Sequence, residues 1–290
     1  MSERVAIVGC GYVGAALARE LCAHGHDVLA TTTSPARVDE LRSLGALPAV
    51  VELADIGKLH ALLSTRTHVY LTVAPGGAER DYRGVYLEGV QNLLRACAGT
   101  SVRRVVYTSS TSVYGQDDGS WVEESSATEP ARENGRILLA AERALLDGAA
   151  PLGITATILR LSGIYGPGRD PAERAVRSAG QTRDDGDVYV NLIHRDDVVA
   201  ALVRLLDLEY DGILNLSDGR PILRREIYDR IIRARRLPSI QWIDQAAGGA
   251  RGKRVCADLA GRVLGFTPRF AEYWADALRA KSAAGPDVCC

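Results

Sequence analysis

Three groups of residues have the types and spacing that chemistry requires. The first is Gly9-Cys10-Gly11-Tyr12-Val13-Gly14, a GxGxxG run directly after the apolar stretch Val5-Ala6-Ile7-Val8. In that setting each glycine has its own job. Gly9 permits a tight turn, Gly11 lets the backbone approach a pyrophosphate, and Gly14 lets a helix pack closely on the strand before it. Val13, Leu17 and Leu21 recur every four residues and mark that helix. Its free N–H groups and positive dipole end face an anion. The run predicts a dinucleotide site that includes Tyr12 and Val13. The second group is Ser109-Ser110-Thr111-Ser112-Val113-Tyr114, where hydroxyls can donate and accept hydrogen bonds and Tyr114 can exchange a proton. The third is Tyr165, Arg169 and His194, in loops of the kind that carry substrate contacts.

Which dinucleotide is bound depends on the end of the second strand. A carboxylate there would accept hydrogen bonds from the ribose diol and repel a 2′-phosphate. The segment reads Ala30-Thr31-Thr32-Thr33-Ser34-Pro35-Ala36-Arg37, with no acid. Thr32, Thr33 and Ser34 offer hydroxyls and Arg37 a cation, which suits a phosphate. The same residues also read as a capped helix start, with Ser34 at the N-cap and Pro35 at N1. NADP(H) is therefore expected in preference, with NAD(H) as the alternative. Glu52 and Leu53 after the third strand, and Val73 and Ala74 after the fourth, complete the expected cofactor contacts.

These groups need a scaffold that brings strand ends together. Strands are expected at Val5–Val8, Asp27–Thr31, Ala49–Leu53, His68–Val73, Arg104–Thr108, Thr155–Leu161, Val188–Ile193 and Ile213–Leu216. Helices are expected between them, among them 35–44, 56–63, 79–98 and 132–146. That alternation predicts an α/β fold, a doubly wound parallel sheet of Rossmann type with the ligand crevice at the carboxyl ends of its strands. Residues 1–162 form the expected dinucleotide-binding core, completed by about 195–217. Residues 163–194 and 218–290 are assigned to a small C-terminal substrate lobe.

The 290 residues carry a net charge of −1, are 47% hydrophobic and 24% charged. That balance fits a globular domain and argues against a nucleic-acid partner, which asks for a basic excess. No apolar run is long enough to span a membrane. No signal peptide is evident, and the scattered cysteines read as reduced thiols, so the expected location is cytoplasmic. The Cys289-Cys290 pair reads as a disordered tail. No metal-ligand spacing is present. Arginines 224, 225, 230, 233, 235 and 236 surround Ile227 and Ile231 at helical spacing. They read first as a solvated helix face and second as an anion site.

Four stretches resemble a known family. The glycine turn, Val106-Tyr107-Thr108-Ser109-Ser110-Thr111-Ser112-Val113-Tyr114-Gly115, Leu159-Arg160-Leu161-Ser162-Gly163-Ile164-Tyr165-Gly166-Pro167-Gly168-Arg169 and Asn191-Leu192-Ile193-His194-Arg195-Asp196-Asp197 occur in the family's order. Together they resemble the extended short-chain dehydrogenases/reductases, the NAD-dependent epimerase/dehydratase superfamily. The Gly-Cys-Gly-Tyr-Val-Gly variant and Trp121-Val122-Glu123-Glu124 resemble its atypical YeeZ-like branch. The resemblance implies a Ser/Tyr/Lys chemistry and assigns the serine to Ser110. It also exposes a departure. Asn134 stands where the tyrosine belongs and Leu138 where the lysine belongs.

The implied activity is an NADP(H)-dependent oxidoreductase acting on a small polar substrate without the usual pair. The alternatives are an epimerase or dehydratase with transient cofactor use, and a catalytically silent NADP(H)-binding sensor or scaffold. The helices at 79–98 and 132–146 carry apolar residues beyond one core stripe (Val85, Val90, Leu93, Leu94; Ile137, Leu138, Leu139, Leu145, Leu146). The resemblance implies that they pair into an isologous homodimer interface.

Overall fold

The computed structural model describes residues 2–76, 81–244 and 249–271. The Cys289-Cys290 pair lies outside them. The chain opens with β1 (Arg4–Val8), α1 (Tyr12–Ala23), β2 (Asp27–Thr32), α2 (Val38–Ser43), β3 (Leu47–Val50), α3 (Ile56–Leu63) and β4 (His68–Leu71). A π-helical turn over Arg83–Glu88 leads into α4 (Gly89–Cys97), then β5 (Arg104–Ser110), the short β6 (Trp121–Val122), α5 (Glu133–Ala149) and β7 (Thr155–Leu161). After β7 come β8 (Gly163–Tyr165), α6 (Ala172–Arg177), β9 (Thr182–Arg183), β10 (Tyr189–Val190), β11 (Leu192–His194), α7 (Arg195–Asp207) and β12 (Gly212–Leu216). The described chain finishes with β13 (Ile222–Leu223), α8 (Arg224–Ala234), β14 (Gln241–Trp242), β15 (Arg254–Val255) and α9 (Asp258–Leu264).

Seven strands form one parallel sheet in the order β12-β7-β5-β4-β1-β2-β3. A strand's side chains alternate between faces, so a run with no polar break must be covered on both sides. β1 shows this residue by residue. Val5 and Ile7 join one apolar cluster, with Leu17 and Leu21 of α1 and Leu202 and Leu205 of α7. Ala6 and Val8 join the other, with Leu59 of α3, Leu93 of α4 and Leu145 of α5. The strand order reverses between β1 and β4, where the doubly wound fold opens its crevice.

Pairing moves some boundaries from their expected places. β3 spans 47–50 rather than 49–53, because it pairs with β2 only up to Val50 opposite Thr32. The stretch expected as one strand at 188–193 divides into β10, paired with β13, and β11, paired with β8. The helix expected over 79–98 lies partly outside the described residues, and its described part starts in π geometry.

A third apolar cluster, with Tyr165, Ala175, Ile227 and Ile231, forms the core of the small lobe around α6 and α8. Not everything after residue 218 stays there. Ala260, Leu264 and Phe266, in and just after α9, belong to the cluster of α1 and α7, and β15 pairs with β6. The chain thus returns to the sheet after visiting the lobe, and the apolar stripe of α9 is covered by β12 and α7. Among the described residues no helix is long and apolar enough to cross a membrane.

Candidate functional site at the carboxyl ends of the sheet

The glycine turn joins β1 to α1 at the strand-order reversal. Gly9 has φ +93°, and a Cβ there would lie 2.6 Å from Val73 Cγ1. A Cβ on Gly14 would sit 2.5 Å from Thr72 Oγ1 and 2.6 Å from the Gly9 carbonyl. These two glycines are demanded by packing. Gly11 is different, since nothing lies within 4 Å of where its Cβ would be. It caps α1 with no side-chain hydrogen bond to the helix's first N–H groups. An open glycine in front of a helix start that no side chain caps is the cradle that a pyrophosphate fits. Thr31 and Thr72 brace it. Thr31 Oγ1 accepts from Gly9 N–H at 3.1 Å, and the Thr72 hydroxyl donates to the Gly9 carbonyl at 2.8 Å. Sequence reading missed both braces, which look like ordinary strand threonines. Cys10, inside the turn, is a buried thiol that burial pushes up to about 12, so it is no nucleophile.

At the end of β2, Thr32 Oγ1 accepts from Ser34 N–H at 3.1 Å, while Thr33 is exposed. Ser34 and Pro35 do start a helical turn, but the Ser34 hydroxyl makes no capping bond. Arg37 reaches back to the turn, where its Nη1 donates to the Cys10 carbonyl. Its other face holds Glu40 in two bonds, Nε to Oε2 at 2.9 Å and Nη2 to Oε1 at 2.8 Å. The cation is therefore at the cofactor's edge and already shares its charge with a carboxylate. Glu52 is exposed just past β3, and Leu53 packs on Gly89. Val73 lies against Gly9, and Ala74 is exposed beside it.

Ser110 ends β5 opposite Leu161 of β7. Its Oγ accepts from Ser112 N–H at 3.2 Å, and its own proton has no acceptor among the described residues. Asn134 is half-buried in the first turn of α5, its Oδ1 accepting from Gly135 N–H at 2.9 Å. Leu138 is buried in the cluster of α3 and α4, so no cation is available there to hold a ribose or lower a phenol's pKa.

Tyr114, expected to exchange a proton, lies in the interior. It is 2% exposed. Its hydroxyl donates to Asn215 Oδ1 at 2.8 Å and accepts from Arg160 Nη1 at 2.9 Å. Burial holds the phenol above its usual range, and the Arg160 charge opposes this only in part. Arg160 in turn grips buried Glu142 at 2.7 Å, and Ser109 donates to Glu142 at 2.6 Å. Tyr114, Arg160, Glu142, Ser109 and Asn215 thus tie β5, α5, β7 and β12 together from within. The network's members stand far apart in the chain, which is why sequence reading saw Tyr114 alone.

Two of the three expected substrate contacts also move indoors. Tyr165 is 1% and His194 3% exposed. Tyr165 meets the His194 ring edge-on at 5.1 Å and donates to the Phe270 carbonyl at 2.8 Å. His194 also stacks with Phe270 at 3.9 Å and caps α7 by accepting from Asp196 N–H. Burial, the largest influence, lowers the imidazole's pKa. They hold the lobe's root to α7. Arg169, by contrast, is exposed and lies over the Tyr12 ring at 4.0 Å, with Arg195 at 5.1 Å from the same ring. It therefore sits on the cofactor turn rather than deeper in the crevice. The arginines in and just after α8 are largely spent in the lobe, Arg224 on Asp185, Arg225 on Asp187 and Asp244, Arg235 on Asp170. Two clefts of about 470 and 460 Å³ share Gly219, Ala257 and Asp258 beyond β12, and neither is lined by Ser110 or the glycine turn. Among the described residues no group of three or more His, Cys, Asp and Glu side chains could hold a metal.

Comparison with known proteins adds to this geometry. Protein YeeZ of Escherichia coli (strain K12) is 32% identical over 267 residues, covering 89% of this chain and 94% of that protein. A 2-alkyl-3-oxoalkanoate reductase of Stenotrophomonas maltophilia (strain K279a) is 28% identical over 258 residues, covering 80% of this chain and 75% of the reductase. The structure of MoeE5 in complex with UDP-glucose and NAD superposes with a TM-score of 0.77 at 26% identity, covering 97% of this chain and 99% of that one. The family model described as NAD dependent epimerase/dehydratase matches residues 5–216, the span from β1 to the end of β12. The open cradle at Gly11, the Ser110 hydroxyl at the carboxyl end of β5 in the same sheet and these matches agree: the chain belongs to the NAD dependent epimerase/dehydratase family.

Proposed function

We propose that this chain is an NADP(H)-dependent oxidoreductase that acts on a small polar carbonyl or conjugated acceptor without a Tyr/Lys pair. The observation that carries the reading is Ser110, whose hydroxyl proton is unspent at the carboxyl end of β5, two strands from the open glycine cradle on the same edge of the sheet. When bound, the nicotinamide supplies or accepts a hydride. Gly11 and the first N–H groups of α1 would hold the pyrophosphate, with Tyr12 and Arg169 over it. Thr32, Thr33, Ser34 and Arg37 would take the 2′-phosphate, and Leu53 and Val73 would flank the nucleoside. Ser110 would donate a hydrogen bond to the substrate oxygen. Leu138 can neither hold a ribose nor lower a phenol's pKa, and Asn134 donates hydrogen bonds but not protons. Substrates that need no strong enzyme acid are therefore favoured, such as iminium ions and enones. Steady-state NADPH oxidation across a carbonyl, imine and enone panel tests this. Sustained turnover of an enone or imine supports it, and no consumption with any acceptor refutes it.

A second reading, transient cofactor use in an epimerase or dehydratase, is favoured by the family and by the fold shared with MoeE5. It predicts product without net NADPH loss. The missing pair favours a third, a silent NADP(H)-binding sensor that turns nothing over. Homodimerisation through α4 and α5 belongs to the same proposal. Val90, Leu93, Leu94, Ile137, Leu138 and Leu145 are already buried within one chain, which leaves Val85, Leu139 and Leu146 partly uncovered for a partner. Light scattering at micromolar protein distinguishes a dimer from a monomer. The reduced thiols fit a cytoplasmic location.

A further inference from the structure

The chain contains three lysines, at 58, 253 and 281. Lys58 is exposed on α3, and Lys281 lies outside the described residues. Lys253 is half-buried, and its Nζ donates to the Tyr114 carbonyl at 2.9 Å. Tyr114 lies four residues after Ser110 along one continuous corner. A second route joins the same two points. Ser110 pairs with Leu161, the nearby Gly163 N–H donates to the Asn191 carbonyl at 3.0 Å, and the Asn191 amide clamps the backbone just after Lys253. Its Nδ2 donates to the Lys253 carbonyl and its Oδ1 accepts from Val255 N–H, each at 2.8 Å. Lys253 is thus fixed at the carboxyl ends of β5 and β7 by the returning chain.

An ammonium carries three donors, and only one of these is used among the described residues. No carboxylate lies within ion-pair distance of it there. Asp117, whose charge acts on the ammonium, accepts from Gly252 N–H at 2.7 Å. Arg132, two residues before Asn134, is exposed and likewise has no carboxylate partner among the described residues. It lies close enough to act on the ammonium. The ammonium thus faces one carboxylate and one further cation, and it keeps unspent donors. Burial, the main cause, lowers the Lys253 pKa, as expected of an ammonium short of compensation.

We infer that Lys253 is a substrate-binding residue, whose ammonium takes the carboxylate of a small oxo acid while Ser110 takes its carbonyl oxygen. This rests on the oxidoreductase reading for the cofactor and on Ser110 for the carbonyl. It adds that the substrate is an anion and names the group that recognises it. Lys253 and Arg132 together would also draw such an anion into the crevice.

The test is calorimetric titration of the NADP⁺-loaded protein with acetoacetate and with neutral acetoacetamide. The wild type should bind acetoacetate about tenfold or more tightly than the amide, as a charge-assisted contact requires. Lys253→Met should abolish that difference without changing amide binding, and Lys253→Arg should keep most of it. If Lys253→Met does not fold, trace acetylation of the wild type replaces it. Acetoacetate should then protect Lys253 and leave Lys58 reactive. Equal binding of the two probes, no acetoacetate binding, an unaffected Lys253→Met or no protection would each overturn the inference. Failure of the underlying reading shows separately, as absent heat on adding NADP⁺ itself or no NADPH consumption with any acceptor.

Discussion

Replacing Tyr114 by phenylalanine removes one oxygen from a side chain that is 2% exposed. That oxygen serves two buried partners, the Asn215 carbonyl at 2.8 Å and the Arg160 guanidinium at 2.9 Å. Both lose their bond and neither can reach water. A buried polar group left unpaired costs ~1–3 kcal/mol, with charged groups at the upper end. Part is recovered because Arg160 keeps Glu142 and Asn215 keeps its bond to the Cys256 carbonyl. The expected loss is about 2–4 kcal/mol. For a chain of this size that is a fall in melting temperature of roughly 3–7 °C. Below the transition, NADPH oxidation with the best acceptor should change little, because no proton leaves Tyr114. A true general acid would cost ~10²–10⁴-fold. Thermal unfolding and steady-state kinetics on the same preparation decide the matter. A hundredfold fall in turnover at unchanged melting temperature would refute the structural role and restore Tyr114 as the acid. Glu142→Gln provides a calibration, since it strands Arg160 in the interior and should cost ~3–5 kcal/mol.

Other perturbations probe the site from its remaining sides. Gly11→Ala meets open space, so it should leave stability nearly unchanged yet abolish cofactor binding by fluorescence titration. Gly14→Ala drives a methyl into Thr72 and the Gly9 carbonyl and should lower the melting temperature itself; equal stability of the two variants would refute the distinction. Arg37→Ala should erode any NADPH preference about tenfold, the worth of one charge-assisted contact, whereas Glu40→Gln, by freeing Arg37, should raise it; NADPH and NADH titrations show which. Asp218 is 6% exposed and burial raises its carboxyl from 3.8 to about 6. The folded state then holds a proton the unfolded state has lost, so stability from this group falls as pH rises from about 4 to 6, by about 3 kcal/mol. Asp218→Asn should accordingly raise the melting temperature at pH 8 and not at pH 4, and an equal effect at both values would exclude the linkage.

The parts of this protein that sequence reading located are those whose causes are local. β7 and α3 lie where the residue pattern puts them, because apolar periodicity is set by neighbours within one or two turns. The glycine turn is legible for the same reason, since φ at Gly9 and the helix start at Tyr12 are decided within six residues. The absence of any Tyr-x-x-x-Lys is equally readable, because a missing phenol and ammonium are absences of chemistry in the string itself. β3 was placed late because its extent is set by how far β2 continues beside it, which is information held in another segment.

Tertiary structure alone decided the rest. Tyr114 has the same phenol whether it faces a substrate or Arg160, and the choice was made by residues 46 and 101 positions away. His194 and Tyr165 became interior stacking partners because Phe270 closes over them from the far end of the described chain. Lys253 carries no sequence signal, since a lone lysine is almost always a surface residue; its contact with Tyr114 spans 139 positions. Sequence by itself determined that a dinucleotide cradle exists and that the Tyr/Lys pair is missing, because both are properties of residue type and short-range geometry. Which polar groups face the substrate was decided only by the fold, because burial and hydrogen-bond partnership depend on which distant segments the sheet brings together.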